Sequence, residues 1–574
     1  MKKLIQYSII ALLVITLHSC KDYYEPSNEN LTTANYVSTD PASAEGFLLN
    51  GYSNLINAYV FSDPATDDAV SNQTTNGFKR MATGELSPNF NPITRWDKYQ
   101  SIFYVNRFLS IVDSVKWMEI PGLSYLYSRR LHGEALALRA LLHFYILEAN
   151  AGKDASGKLL GVPYYTKFIP ANGNLNVPRL TFTATVDSIM ADFNKAYDYL
   201  PYVYLAAGDS AHIPTKDLIY NKKYYLTANS TNFNQRLNGQ IVRALQARVK
   251  LFAASKAYLN DINTYKDAAN YASSVLASNL YAIAPDGVEF YNADNDNVNP
   301  EFLWRAALNS NSTQEANNFP PSLNGNGNIN PTQNLVDAFY MKDGYPIGKS
   351  PTYIYDPQKP YTNRDARLDK FVIYNGSTFG SKIINTASTD PLNGINAVIQ
   401  QSTRTGYYLK KLLRPDVIIP VSGTPTAKNH FSAFFRYTEL FLILAEAENE
   451  IGGPDYKEGS STMSPRDILG AIRKRALGIS VDNYLVSINN QVDMRTLIQN
   501  ERRLELCFEG NRIWDLRRWG LNLTESATGY YNDGTKYTKI DVELRMYNGD
   551  KYRYMPLMYS ELQKFSNLVQ NAGW

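Results

Sequence analysis

Cysteine is almost missing from this chain. The 574 residues include only Cys20 and Cys507, so at most one disulfide could form. Histidine is nearly as scarce, with five residues, and no His-Glu-x-x-His, Cys-x-x-Cys or Gly-x-Ser-x-Gly segment occurs. Zinc-hydrolase and serine-hydrolase chemistry therefore have no motif to stand on. His132 and His143 would share one helix face, but at 1.5 Å per residue they lie roughly 16 Å apart, too far for one metal ion. Asp294-x-Asp296 opens like a calcium loop, yet Val298, Asn299 and Arg305 occupy positions that need a ligand oxygen, the turn glycine and the closing glutamate. No metal site and no cofactor are expected. Charge of one sign is lacking too: 57 Lys and Arg face 54 Asp and Glu, a net charge of +3. That balance provides no field for nucleic acid, which is excluded as a partner. Long apolar runs are absent apart from Leu4 to Leu17, which falls short of the roughly 20 residues a membrane-spanning helix needs.

That one run has its own reading. Met1-Lys2-Lys3 gives a positive start, the apolar stretch follows, and Ser19 precedes Cys20, the order of a secretory signal. Leu17-His18-Ser19-Cys20 resembles a bacterial lipobox, so residues 1–19 are expected to be removed and Cys20 to be lipidated. His18 departs from the small residue usual at its position. Residues 20–40 then form the lipidated cysteine and a polar tether, and acyl chains anchor the protein without a spanning helix. With Cys20 acylated, Cys507 has no partner and stability must come from packing.

Apolar residues recur at helical spacing over roughly 41–60, 94–114, 124–149, 183–200, 238–259, 264–278, 433–451, 465–476 and 492–509. Helices are therefore expected to dominate. Small residues on their faces, such as Ala135, Ala137 and Ala140, suit close approach in stacked helical hairpins. Between 280 and 430 the texture changes to Asn, Pro, Gly and Asp clusters. Together with the polar insertion 71–96, this region has the loops in which ligand contacts concentrate. The resulting division is 41–279 helical, 280–430 loop-rich and variable, and 431–574 helical, with 21–574 as one compact unit. Tyrosine stands out at 43 residues; beside abundant Asn, such rings suit polar ligands, although any single ring also serves as helix packing.

The densest segment is "ERRLELCFEGNRIWDLRRWG" (501–520). On one helix, Glu501, Glu505 and Glu509 are like charges four residues apart and should repel. Their partners must come from elsewhere, which predicts a partly buried ionic brace using the adjacent arginines, with Arg502 also able to reach Glu505. Glu439 and Glu446, on one face of 437–452, are likewise expected to be structural ion pairs. Carboxylates are numerous enough that a glycosidase pair elsewhere stays open.

The segment 499–520 resembles the signature of the SusD/RagB-like outer-membrane nutrient-binding lipoproteins, with every signature position filled. "GVPYYTK" (161–167), "NRDARLDK" (363–370), "TRTGYYLKK" (403–411) and the C-terminal "YMPLMYSELQKFSNLVQNAGW" are similar to further family segments in the same order. The resemblance implies a mostly α-helical fold, a tetratricopeptide-like helical-pair scaffold with a loop-rich ligand-binding subdomain. It implies a lipid-anchored protein on the outer surface of a Gram-negative outer membrane, without catalytic activity. Such a protein captures oligo- or polysaccharide and delivers it to a SusC-like TonB-dependent transporter. Capture of peptides, as in the RagB type, is the alternative within the family; a surface glycoside hydrolase is the alternative outside it. The family motifs mark scaffold, so the ligand-binding candidates rest on chemistry: Phe78, Arg80, Phe90 and Asn91 in the first polar insertion, and Tyr291, Asn295 and Phe319 in the second. Each combines a ring face or hydrogen-bonding head with a loop position. Trp96 and Trp304 read as core.

Overall fold

The computed structural model describes residues 40–57, 59–170, 172–277, 291 and 299–574. Cys20, the tether and Asn295 lie outside them. Ten helices organise the chain: α1 (Pro41–Ser53), α2 (Lys98–Leu109), α3 (Pro121–Asn150), α4 (Phe182–Tyr199), α5 (Gly239–Ala254), α6 (Ile262–Leu276), α7 (Tyr437–Gly452), α8 (Pro465–Leu477), α9 (Gln491–Glu505) and α10 (Arg512–Arg518). From α1 to α7 each helix packs on the next, and α7 then packs on both α8 and α9. This consecutive stacking is the helical-pair scaffold. Side chains start the helices where the sequence supplies an oxygen: Thr181, Asn238, Asp261 and Asn490 each accept a first-turn backbone N–H. Ser464 and Asp467 form a reciprocal capping box at α8.

Small residues set how closely the helices approach. Ala135, Ala137 and Ala140 are fully buried along α3. A Cβ at Gly133 would sit 2.8 Å from Leu200 Cγ and 2.9 Å from Tyr199 Cβ, so α3 meets the end of α4 at a distance only glycine permits. One contiguous core runs from Ala44 to Tyr530 and includes the fully buried Trp304 ring, whose Nε1 donates to Gln235 O. Trp96 is half-buried, ahead of the start of α2.

Two boundaries differ from the periodicity. Residues 433–436 form a strand paired antiparallel with Phe302–Arg305, and the helix begins at Tyr437. The aromatic run there serves a sheet before the chain turns helical. The stretch 492–509 stops as a helix at Glu505, because Phe508 (φ 63°) and Gly510 (φ 77°) take left-handed backbone and turn the chain into α10. Within 299–430 the elements are short: strands of two to four residues and helices of six, such as Ala366–Phe371.

The signature is an ionic brace, with a wider circle of partners than its own sequence supplies. Arg367, 1% exposed, donates to Glu505 (2.8 Å), to Glu501 (2.5 Å) and to Asp365 (2.7 Å). Arg475 takes the other oxygen of Glu505 at 2.5 Å. Arg436 pairs with Glu509 (2.7 Å) and Glu301 (2.6 Å), and buried Lys411 reaches Glu509 at 2.7 Å. Arg502 turns away from Glu505 and binds Asp515 at 2.9 Å. Arg512 and Arg503 hold Asp67 (2.7 Å) and Asp68 (2.6 Å), while Arg518 binds Glu446. Arg512 and Arg518 thus serve other carboxylates, and Glu501, Glu505 and Glu509 take their cations from distant segments. Glu439 is clamped by Arg248 at 2.6 and 2.8 Å, so Glu439 and Glu446 are both structural.

Burial alone would raise the Glu505 carboxyl, but Arg475, Arg367, Arg436 and Lys411 bring it down to about 2. Its ordinary unfolded value is about 4.3, so its stabilisation is complete above that value and is lost as pH falls from about 4 toward 2. Buried Asp63, next to Asp68, is pushed up to about 7. Its contribution has the opposite sign and is lost as pH rises from about 4 to 7. Asp63→Asn should accordingly flatten the decline in melting temperature between pH 4 and 7, and leave the acid limb below pH 4 in place. Arg367→Met strands three carboxylates in the core and should cost about 3–5 kcal/mol in chemical denaturation; a loss under about 1 kcal/mol would show that the brace contributes little.

Candidate functional site

The first polar insertion starts from a short strand, Ala69–Ser71, paired antiparallel with Ile329–Pro331. Asn72 Nδ2 then donates to Asn326 O and Gly327 O, both at 2.9 Å, and Gln73 Nε2 donates to Gln400 O at 2.5 Å. These bonds bring the insertion beside two loops of the central region. Asn76 caps the short helix Gly77–Arg80, and a turn at Met81–Glu85, with Gly84 at φ 112°, returns the chain to Phe90. A third segment closes the face: Arg404 and Arg545 meet at Glu543, the latter at 2.6 Å, and Lys79 Nζ lies 3.6 Å from the same carboxylate.

Two of the sequence candidates sit together here. The Arg80 guanidinium lies 4.2 Å from the centre of the Phe90 ring, and its N–H groups donate to Glu85 at 2.6 and 2.9 Å. The salt bridge raises Arg80 and lowers Glu85 from their ordinary values. Arg80 is 39% exposed and Phe90 is half-buried. Phe78 points the other way and lines a cavity of about 260 Å³ with Arg95, Trp514, Tyr145, Arg248 and Glu439. Arg95 takes left-handed backbone (φ 52°), stacks 4.5 Å from the Trp514 ring and pairs with Glu148. All four carboxylates that line this cavity are engaged by cations: Glu148 by Arg95, Glu439 by Arg248, Glu509 by Arg436 and Lys411, and Asp97 by Lys98. Burial raises Glu148 despite Arg95. No acid here is paired with a second, unengaged acid in the manner glycoside hydrolysis uses, and no group of His, Cys, Asp and Glu with metal-binding geometry occurs among the described residues.

The remaining candidates are placed differently. Asn91 is 6% exposed, accepts from Ile93 N (3.1 Å) and donates to Pro556 O (2.9 Å), which makes it a buried backbone clasp. Tyr291, 3% exposed, belongs to a small core with Phe302, Leu412 and Phe431. Phe319, 2% exposed, packs edge-on against Phe379 in the main core. Loop composition suggested exposure, but in a region with so few long elements these rings are what the loops pack on. Sequence reasoning missed Gln73, Lys79, Gln400, Arg404 and Glu543, which come together from three distant segments. The polar insertion 71–96 signalled Gln73 and Lys79 only as part of a segment, and "TRTGYYLKK" did the same for Arg404.

Residues 294–574 match the SusD family, and residues 39–220 match a family described as starch-binding and associating with the outer membrane. The chain belongs to the SusD/RagB-like family. It is 22% identical to SusD-like protein P38 of Formosa agariphila over 557 residues, 90% of this chain and 92% of that one. A SusD-like protein from Bacteroides fragilis superposes with a TM-score of 0.74 at 21% identity, covering 96% of this chain and all of the other. A second from the same species, called a SusD-like carbohydrate binding protein, gives 0.69 at 19% identity over 92% and 99% of the two chains. No described helix is long and apolar enough to cross a membrane.

If Asn91 is a clasp, Asn91→Ala should lower stability by about 1–3 kcal/mol while glycan affinity, measured on the folded fraction, stays unchanged. Lost affinity without lost stability would return Asn91 to the ligand face.

Proposed function

We propose that this protein is a non-catalytic, lipid-anchored glycan receptor of the cell surface, which captures oligo- or polysaccharide and hands it to a SusC-like TonB-dependent transporter. The observation that supports it most directly is the insertion face. Phe90 and Arg80 form a half-exposed ring and guanidinium on the same insertion as Gln73, whose side-chain amide is tied to Gln400 O. Sugars are held by such pairings, a ring under the C–H face of a pyranose and forked donors at its hydroxyls. The charged clusters on the rest of the scaffold are engaged in internal ion pairs. The family's description as starch-binding agrees with this ligand class, as does the carbohydrate-binding relative. Cys20, lipidated after removal of residues 1–19, supplies the anchor in this reading.

The test is calorimetric titration of the chain from Lys21 onward against neutral polysaccharides and oligopeptides, with every mixture assayed for cleavage. Saturable binding to one glycan class without products is expected. Phe90→Ala and Arg80→Ala should each weaken it by about tenfold or more. Binding of peptides alone would move the protein to the peptide-capturing type, and cleavage products would overturn the non-catalytic assignment.

A further inference from the structure

A groove of about 680 Å³ opens on the helical scaffold, on elements separate from the insertion face, and its walls carry sugar-binding chemistry. Tyr197 comes from the last turn of α4, Arg243 from α5, and Asn270, Tyr271 and Ser274 from α6; His212 lies on the loop that follows α4. Arg243 is held in a fixed attitude. Its guanidinium carbon is 3.7 Å from the Tyr197 ring centre and 5.3 Å from that of Tyr271. One of its nitrogens donates to Gln246 Oε1 at 2.9 Å, and fully buried Gln246 is itself tied to Asn194 at 2.8 Å.

The charge balance of this groove decides its ligand. No Asp or Glu is among the residues that line it, and Arg243 has no carboxylate partner among the described residues. The contrast with Arg502, Arg503, Arg512 and Arg518, each set against an acid, is sharp. Lys216 Nζ adds positive charge 5.4 Å from the Tyr197 ring. The nearby Asp209 is engaged by His212 at 2.7 Å. A guanidinium stacked on one ring and close to a second, with N–H donors left beyond the one given to Gln246, is an arrangement that receives a carboxylate in two parallel hydrogen bonds. The tyrosines and the exposed Asn270 and Ser274 add ring edges and faces, amide and hydroxyl for the rest of a pyranose.

We propose that this groove is a second binding site, specific for uronic-acid residues of an acidic oligosaccharide, with Arg243 taking the carboxylate. It rests on the glycan-capture reading only in taking the ligand to be a sugar.

The experiment titrates the chain from Lys21 with an oligogalacturonate, with the same oligosaccharide fully methyl-esterified, and with a sulfated neutral glycan. The neutral glycan bound at the insertion face serves as a parallel titration. Saturable binding of the acid form is expected, weakened about tenfold or more by esterification, by Arg243→Gln, and by salt. Since Arg243 also packs, the double variant Asn270→Ala/Ser274→Ala, confined to exposed side chains, should weaken binding several-fold at an unchanged melting temperature. Arg243→Gln should leave the neutral-glycan titration as it was. Equal binding of acid and ester, preference for the sulfated glycan, or wild-type affinity in both variants would overturn the proposal. Failure of the acid probe alone refutes the groove assignment, whereas failure of every glycan refutes the capture reading with it.

Discussion

The structure depends on one arrangement, a set of carboxylates on α9 and the turn after it that lie too deep to be solvated and too close together to tolerate one another. Glu501 and Glu505 are no more than 1% exposed, and Glu509 lies one turn beyond. Burying an unpaired carboxylate costs several kcal/mol, and like charges at this spacing add to the cost. The fold meets the requirement by bringing cations from Arg367, Lys411, Arg436, Arg473 and Arg475 into one region. Arg473 and Arg475 come from α8 and the other three from separate short elements or turns, so the chain can satisfy the charges only by adopting this path. Such a network does more for the uniqueness of the fold than for its net stability.

The residues recruited explain why loops with so little regular structure hold their shape. Glu301, Arg367 and Lys411 belong to the central region, where strands are two to four residues long and cannot define a surface through backbone pairing alone. Asp67 and Asp68 stand at the foot of the first insertion and are held by Arg503 and Arg512. Both regions are therefore fastened to α9 by charge. Glu315 repeats the device on a smaller scale, accepting from Arg414 N at 2.8 Å while His430 Nε2 lies 2.8 Å from the same oxygen.

This division also accounts for what could be read from the sequence. Helices announce themselves by a period of 3.6, and α3, α4, α6 and α8 fall within two or three residues of their expected ends. The ionic role of 501–520 was legible because three like charges at i,i+4 state their own problem. Its solution was not, since nothing in the local sequence marks Arg367, 134 residues from Glu501, as the partner. Asn91, Tyr291 and Phe319 mislead for the same reason. In a loop-rich region composition reports that the backbone is irregular, not which side chains the irregular backbone encloses. The groove around Arg243 was hidden in a segment of strong helical periodicity, where Tyr197 and Tyr271 read as packing.

The same physics separates what relatives share from what they need not. At about 20% identity the likeness to solved structures spans nearly the whole chain, so the scaffold tolerates replacement at most positions. The brace is hard to replace piecemeal, because removing one partner leaves a buried charge and costs more than the pair contributes. Phe90 and Arg80 are under no such constraint: their contact with each other is local and partly exposed, and an exposed pair such as Arg80–Glu85 contributes little to stability. A surface fastened from below by charge and free of stabilising duties above can change its ligand without endangering the fold. That is the physical reason the signature identifies the family while saying nothing of the sugar.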